Sequence, residues 1–126
     1  PTNVRKIYDE TLLAICNNQN ILAGIGIRAL LEVICIENKT TGKDLFKKIQ
    51  SLKNKGFISE EEEKLLHNSR ILGNIVVHEV ISLPEEILDT LLDISEHILK
   101  SIYILPDKNV KLEKEIKCRK KPKQKK

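Results

Sequence analysis

The sequence predicts an all-α domain, a five-helix bundle, and three observations support that prediction. Apolar residues recur at steps of three and four in five successive segments, as they do on one face of a helix. Short turn signals, such as residues 17–20 and Ser82-Leu83-Pro84, separate these segments. No run of five or more residues alternates convincingly between apolar and polar, so we expect no sheet.

The bundle is organised around the second segment, Ile21–Ile36. This segment carries only two charges, Arg28 and Glu32. A helix that is apolar on every side must be surrounded by other elements, so this helix is predicted to be nearly fully buried. Gly24 and Gly26 each weaken a helix, and their presence indicates close approach of a neighbouring helix, with chance drift as the alternative.

The first and third helices are predicted from periodicity and capping signals. The first covers residues 3–16, and Asn18 or Asn20 can cap the helix that follows. A variant of the capping box, Thr41 with Asp44, begins the third helix, and Gly56 follows its end.

The fourth and fifth helices have clearer start signals. Ser59 and Glu62 form a capping box for a fourth helix over residues 60–80. Its apolar residues predict the side that faces the core, namely Leu65, Ile71, Leu72, Ile75 and Val76. The fifth helix begins near Pro84 and runs to about Leu105, where Pro106 is expected to stop it.

Charge divides the chain into two regions. Residues 107–126 contain ten Lys or Arg and three Asp or Glu, a net charge of +7, whereas residues 1–106 carry −3. The basic region has few large apolar groups, so we predict a folded domain over residues 1–106 and a disordered tail over residues 107–126. Lys117, Arg119, Lys120 and Lys121 in this tail are candidates for binding nucleic-acid phosphates, the alternative being a solvated end.

Composition limits the cellular context and the class of site. The sequence has no signal peptide, no transmembrane run and no paired-cysteine motif, so a reducing cytoplasm without membrane attachment is expected. It has no metal-ligand spacing and no Gly-rich phosphate loop, so we expect no metal and no cofactor. The absence of Met, with Pro1 first, suggests a fragment of a longer protein with further domains.

A polar stripe on the fourth helix is the candidate site. Glu63, His67, Arg70, Asn74 and His78 fall within roughly 80° of arc on a helical wheel, between apolar borders. Arg binds phosphate or carboxylate with a bidentate fork, and His exchanges a proton near neutral pH. Such residues suit phosphate-ester chemistry, but the same residues suit a structural network in which Arg70 pairs with Glu32 and Asn74 bonds across helices.

Four motifs follow one another along the chain. They are Pro1, Val4, Tyr8 and Glu10 at the start; Arg28-Ala-Leu-Leu-Glu32; Leu45, Ile49 and Leu52 with Gly56 and Ile58; and Arg70-Ile-Leu-Gly73-Asn74 with His78-Glu79. In this order they resemble one bacterial family, the domain of unknown function 4145 family. That family resembles the HEPN (higher eukaryotes and prokaryotes nucleotide-binding) helical superfamily. The resemblance implies a homodimer that acts in phage defence or restriction and binds RNA or another nucleic acid.

The resemblance leaves two functions open. The first is a dimerisation or regulatory module of a larger defence protein. The second is a metal-independent endoribonuclease in which His78 is the general acid–base, Arg70 stabilises charge on phosphorus and Asn74 orients. Catalytic members of the superfamily have an Arg followed four to six residues later by His. In this sequence His78 follows Arg70 eight positions later, with seven residues between them. Arg28, Glu32, His67 and Glu63 are expected to support the site, with Glu32 holding Arg28 or Arg70.

Overall fold

The structure is a computed structural model that describes the backbone of residues 2–124 and the side chains of residues 2–120. Its elements are α1 (Thr2–Cys16), α2 (Asn20–Glu37), α3 (Leu45–Asn54), α4 (Glu60–Glu79), α5 (Glu85–Leu99), a π-helical turn (Lys100–Ile104) and α6 (Leu105–Gln124). Helix α5, the π turn and α6 follow one another without a break, so the described residues form five helical rods and no strand. The predicted all-α bundle is confirmed.

Helix α2 is the centre of the bundle and packs against α1, α3, α4 and α5. Its buried side chains, among them Ile27, Leu30 and Ile34, belong to two apolar clusters that fill the interior. The expectation that α2 is nearly fully buried is wrong on one side, because Leu22 and Ile36 stay exposed. Leu22 lines an open groove of about 330 Å³ between α1 and α2, which leaves this part of α2 accessible.

Glycines set the spacing between α2 and its neighbours, as the sequence predicts. A Cβ at Gly24 would lie 3.1 Å from the Val76 side chain, and a Cβ at Gly73 would lie 3.0 Å from Arg28 Cβ. A Cβ at Gly26 would collide with the Thr11 hydroxyl. Because the earlier residue of α2 meets the later residue of α4, these two helices run antiparallel.

The buried side of α4 is not the side that its bulky residues predict. The buried residues are Leu66, Ser69, Gly73 and Val76. Of the predicted core residues, Val76 is buried, Leu72 packs against the core and Ile75 is half-buried, whereas Leu65 and Ile71 are 39% and 47% exposed. Gly73 is small enough for Arg28 of α2 to approach closely, so the buried side of α4 includes its small residues while Leu65 and Ile71 face outward.

Local capping explains where α3 and α4 begin. The Ser59 hydroxyl accepts from the Glu62 backbone N–H, and the Glu62 carboxylate accepts from the Ser59 N–H, so the predicted capping box is confirmed. At α3 the predicted Thr41–Asp44 box is wrong, because Asp44 is itself the N-cap and accepts from the Lys47 N–H at 2.9 Å. Gly56 follows α3 with a φ of +83°, as expected for a residue after a helix end.

Helix α2 begins without a side-chain cap. Its N-cap residue is Gln19, so the prediction that Asn18 or Asn20 caps this helix is wrong. Asn18 instead ends the turn after α1 with a φ of +58°, a left-handed conformation that Asn tolerates better than most residues.

The chain does not leave the helix at Pro106, so the predicted end there is wrong. In the π turn the Leu105 N–H bonds the Lys100 carbonyl, five residues earlier. A proline ring normally clashes with the carbonyl four residues before it, and the wider π turn directly ahead of Pro106 relieves that clash. Residues 107–124 are therefore helical rather than disordered, and residues 125–126 lie outside the described part.

None of the helices in the described part of the chain has both the length and the apolar character that a bilayer span requires.

Candidate functional site

The polar stripe lies on an unbroken helix at the border between the bundle and solvent. Helix α4 runs continuously through Gly73, so the side chains at Arg70, Asn74 and His78 keep their helical spacing. Arg70 and Asn74 are half-buried, whereas His78 in the last turn is exposed. The stripe thus runs from a partly covered middle to an open end.

Asn74 belongs to a network that joins α2, α3 and α4. The Arg28 Nε donates to Asn74 Oδ1 at 2.9 Å, across the close contact at Gly73. The Arg28 guanidinium also lies 3.7 Å from Glu32, and Lys48 Nζ donates to the other oxygen of Glu32 at 3.0 Å. These side chains are only about a quarter to a third exposed, so their charges are partly desolvated and strengthen one another's hydrogen bonds.

Arg70 and His67 belong to a second group, which is built on Phe46 of α3. The His67 ring stacks on the Phe46 ring with centroids 4.5 Å apart, and His67 Nε2 lies 3.4 Å from a Glu63 oxygen. The Arg70 guanidinium lies over the same Phe46 ring at 5.2 Å, a cation–π arrangement. Phe46 therefore orients both a potential proton carrier and a permanent cation.

Two polar atoms of this second group lack a partner. Arg70 Nε and His67 Nδ1 are buried, and neither has a hydrogen-bond partner among the described residues. No carboxylate of the described residues lies within 4 Å of the Arg70 guanidinium. Because a guanidinium offers a bidentate fork to phosphate or carboxylate, Arg70 is suited to receive an anionic group from outside the domain.

The structure brings together some predicted site residues and separates others. Arg28, Glu32 and Asn74 form one network, and Glu63, His67 and Arg70 form the other. Glu32 holds Arg28 and not Arg70, as one of the two predicted options, and His78 has no hydrogen bond or ion pair within the described residues. Two residues that sequence reasoning missed, Phe46 and Lys48, come from α3. The sequence pattern places Phe46 on the apolar face of this helix and offers no signal for its contact with α4 or for the contact of Lys48 with Glu32.

The basic residues of the predicted tail lie on α6. Lys117, Arg119 and Lys120 are exposed there, and Arg119 Nε lies 2.8 Å from Glu115 one turn earlier. The side chain of Lys121 lies outside the described part. Within that part, no three His, Cys, Asp or Glu residues are grouped in a way that would hold a metal ion.

Comparison with known families gives one match. Residues 9–118 match the model of a family described as Domain of unknown function (DUF4145). The matched residues begin within α1 and extend through the bundle into α6, past Pro106. Comparisons with curated proteins and with solved structures found no match.

Proposed function

This chain belongs to the DUF4145 family, and we propose that it is a helical module that pairs with a second copy of itself through α4. In this proposal it serves a larger, nucleic-acid-associated bacterial defence or restriction protein, as the HEPN resemblance implies. The stripe residues Arg70, Asn74 and His78 then lie near the two-fold axis. The observation that carries the proposal is the exposure of three large aliphatic residues of α4, namely Leu65, Ile71 and Val77.

The α4 surface has the composition of an interface. Ile71 and Val77, which are 47% and 40% exposed, flank the stripe that carries Arg70 and Asn74. Exposed apolar groups beside partly buried polar groups are typical of a surface that another protein covers. In an isologous pair the same patch meets itself, so Ile71 of each copy would be buried against the other.

The internal bonds of the stripe favour binding over cleavage. Asn74 Oδ1 accepts from Arg28, so this amide stabilises the contact between helices. Arg70 and His78 are eight residues apart, and at a rise of 1.5 Å per residue their Cα atoms differ by about 12 Å along the helix axis. This separation favours a role in which Arg70 holds a phosphate or carboxylate without His78 on the same group.

One pair of variants tests the pairing surface. Ile71→Glu places a charge on the proposed interface, and we expect it to raise the dimer dissociation constant roughly tenfold or more in sedimentation equilibrium. Leu22→Glu is the matched control, because Leu22 is 58% exposed but lies on the opposite side of α2 from Gly24, which contacts α4. Equal self-association of Ile71→Glu and wild-type protein would contradict the proposal.

A second pair tests contact with nucleic acid. Arg70→Gln removes the unpaired guanidinium, and we expect weaker RNA binding with a smaller dependence on salt. Arg5→Gln is the control, since Arg5 is an exposed arginine of α1 that pairs with Asp9. Unchanged RNA affinity for Arg70→Gln would show that Arg70 does not contact phosphate.

A second candidate function is metal-independent RNA cleavage. The observation that favours it is that the half-buried Arg70 and the exposed His78 lie on one helix, and neither has a carboxylate within 4 Å among the described residues. The test is incubation with RNA in excess chelator. Cleavage that is lost in both Arg70→Ala and His78→Ala would support catalysis, whereas intact RNA with the wild-type protein would exclude it.

A further inference from the structure

Helix α6 has no cover within the domain. All of its side chains from Leu105 to Lys120 are exposed, including the large aliphatic residues Leu105, Val110, Leu112 and Ile116. Most of the stability of a protein helix comes from packing one face against something else. A helix whose side chains are exposed over residues 105–120 therefore needs a partner surface.

The sequence of α6 contains a seam with heptad spacing. Leu105, Asn109, Leu112 and Ile116 follow one another at steps of four, three and four. At 100° per residue these four positions fall within about 60° of arc, and Val110 lies outside that arc. In coiled-coil notation, Leu105 and Leu112 occupy d positions, and Asn109 and Ile116 occupy a positions.

Asn109 at an a position favours a parallel, two-stranded arrangement. In a parallel pair each a residue faces the same residue of the other strand, so two Asn109 amides can bond to each other. In an antiparallel pair a faces d, and Asn109 would face Leu112, which leaves a buried amide without a partner. In the single chain the Asn109 amide donates to Glu113 at 2.9 Å, one turn away on the surface.

The flanking charges are complementary in the same arrangement. Lys108 and Glu115 occupy g positions, and Glu113 and Lys120 occupy e positions. In a parallel pair each g residue meets the e residue five positions later in the other strand. Lys108 then meets the partner's Glu113, and Glu115 meets the partner's Lys120, so both contacts join opposite charges.

From these positions we infer that α6 forms a parallel two-stranded coiled coil with α6 of a second copy of this chain, over residues 105–119. The seam ends at Arg119, which occupies the next d position and pairs with Glu115 of its own helix. This surface is separate from the α4 surface and does not depend on it.

Exchanging the flanking charges tests the inference. One variant carries Glu113→Lys and Glu115→Lys, and a second carries Lys108→Glu and Lys120→Glu. Each alone places like charges at both contacts and is expected to lose pairing through α6, whereas an equal mixture restores opposite charges and forms the mixed pair. Lys111→Glu with Lys114→Glu is the control for the variant with Lys108→Glu and Lys120→Glu, since it makes the same charge change away from the seam.

The measurement is sedimentation equilibrium in the Ile71→Glu background. The proposed α4 contact is disrupted there, so the remaining self-association reports on α6. Two results overturn the inference. In the first, either double charge variant, measured alone, keeps the mass of the background protein; in the second, the mixture of the two does not associate. An unchanged mass with weaker salt-dependent RNA binding in the Lys108→Glu, Lys120→Glu variant would also overturn it, and would identify α6 as a nucleic-acid surface. Because the Ile71→Glu and Leu22→Glu comparison reports on α4, either pairing can fail without the other.

Disulfide formation tests the orientation. In a chain with Cys16→Ser and Cys118→Ser, which removes the exposed cysteines, Leu112→Cys is expected to cross-link two copies in a parallel pair. Lys114→Cys, on the outer side of the helix, is the control and is expected to form no disulfide cross-link under the same oxidation. Cross-linking that requires Asn109→Cys mixed with Leu112→Cys would contradict the parallel arrangement.

Discussion

The Nε of Arg28 donates to Oδ1 of Asn74 at 2.9 Å and joins the central helix α2 to the helix that carries the polar stripe. This bond crosses the point where Gly73 lets Arg28 lie against the α4 backbone. The contact fixes which side of α4 faces the bundle and which side remains open to a partner.

Removal of the Asn74 amide is expected to destabilise the domain. Asn74→Ala leaves the partly buried Arg28 Nε without its acceptor, so the free energy of unfolding should fall by about 1–2 kcal/mol. Chemical denaturation monitored by circular dichroism measures the change. Asn68→Ala is the control, because Asn68 is an exposed residue of the same helix, and a loss of equal size in both variants would contradict this role of Asn74.

Addition of a single methyl group at Gly26 is expected to be costly despite the better helix propensity of alanine. The new Cβ would collide with the buried Thr11 hydroxyl, and overpacking of this kind costs about 1–3 kcal/mol. Thr11→Ala removes the obstructing hydroxyl, which has no hydrogen-bond partner among the described residues. We therefore expect the double variant Gly26→Ala with Thr11→Ala to recover part of the loss in thermal unfolding, and equal stability of the single and double variants would argue against the collision.

Glu62 is expected to make the domain sensitive to acid. Burial raises the pKa of Glu62, but hydrogen bonds from Ser59, Ser101 and His97 outweigh it and hold the pKa below the ordinary value of 4.5. A depressed folded-state pKa means that the stability is present above pH 4.5 and is lost as the pH falls through the lower folded-state value.

Denaturation at a series of acidic pH values tests this prediction. Glu62→Gln should reduce the loss of stability below pH 4.5, whereas Glu61→Gln, in the same helical turn but exposed, should leave the loss unchanged. The same pH dependence in wild-type protein and Glu62→Gln would place the acid-sensitive group elsewhere.

Tyr8 gives the opposite dependence at high pH. Its hydroxyl donates to the Glu96 carboxylate, and this bond, with burial and the negative charge of Glu96, raises the pKa of Tyr8 from 10.0 to about 12. The stability from this bond is present below pH 10 and is lost as the pH rises through 12. Ultraviolet titration should resolve one tyrosine with a midpoint near 12 that disappears in Tyr8→Phe. A titration of Tyr8 near pH 10 would show that the bond to Glu96 does not form.

The sequence predicts local features of this fold well and the orientation of helices less well. The Ser59–Glu62 capping box and the turn at Gly56 depend on residues close in sequence, so their patterns are readable without the fold. Periodicity does not predict which side of α4 faces outward, because the small residues Ser69 and Gly73 are buried where a pattern of bulky residues would be expected. The continuation through Pro106 depends on a π turn, which has no simple residue signature.

The candidate site shows the same division. Helical spacing alone predicts that Arg70, Asn74 and His78 share a stripe. The partners of those residues come from α2 and α3, so spacing on α4 could not predict that Asn74 bonds to Arg28 or that Arg70 lies on Phe46.

The distance between two α4 helices in the assembled protein is the direct test of pairing through α4. A spin label at His78, an exposed residue at the end of the stripe, reports this distance by pulsed electron resonance after Cys16→Ser, Cys118→Ser and His78→Cys. A label introduced by Leu22→Cys in the same background gives the comparison. Pairing through α4 predicts a short distance between labels at position 78 and a clearly longer one at position 22. No dipolar coupling at position 78, or a shorter distance at position 22, would contradict pairing through α4.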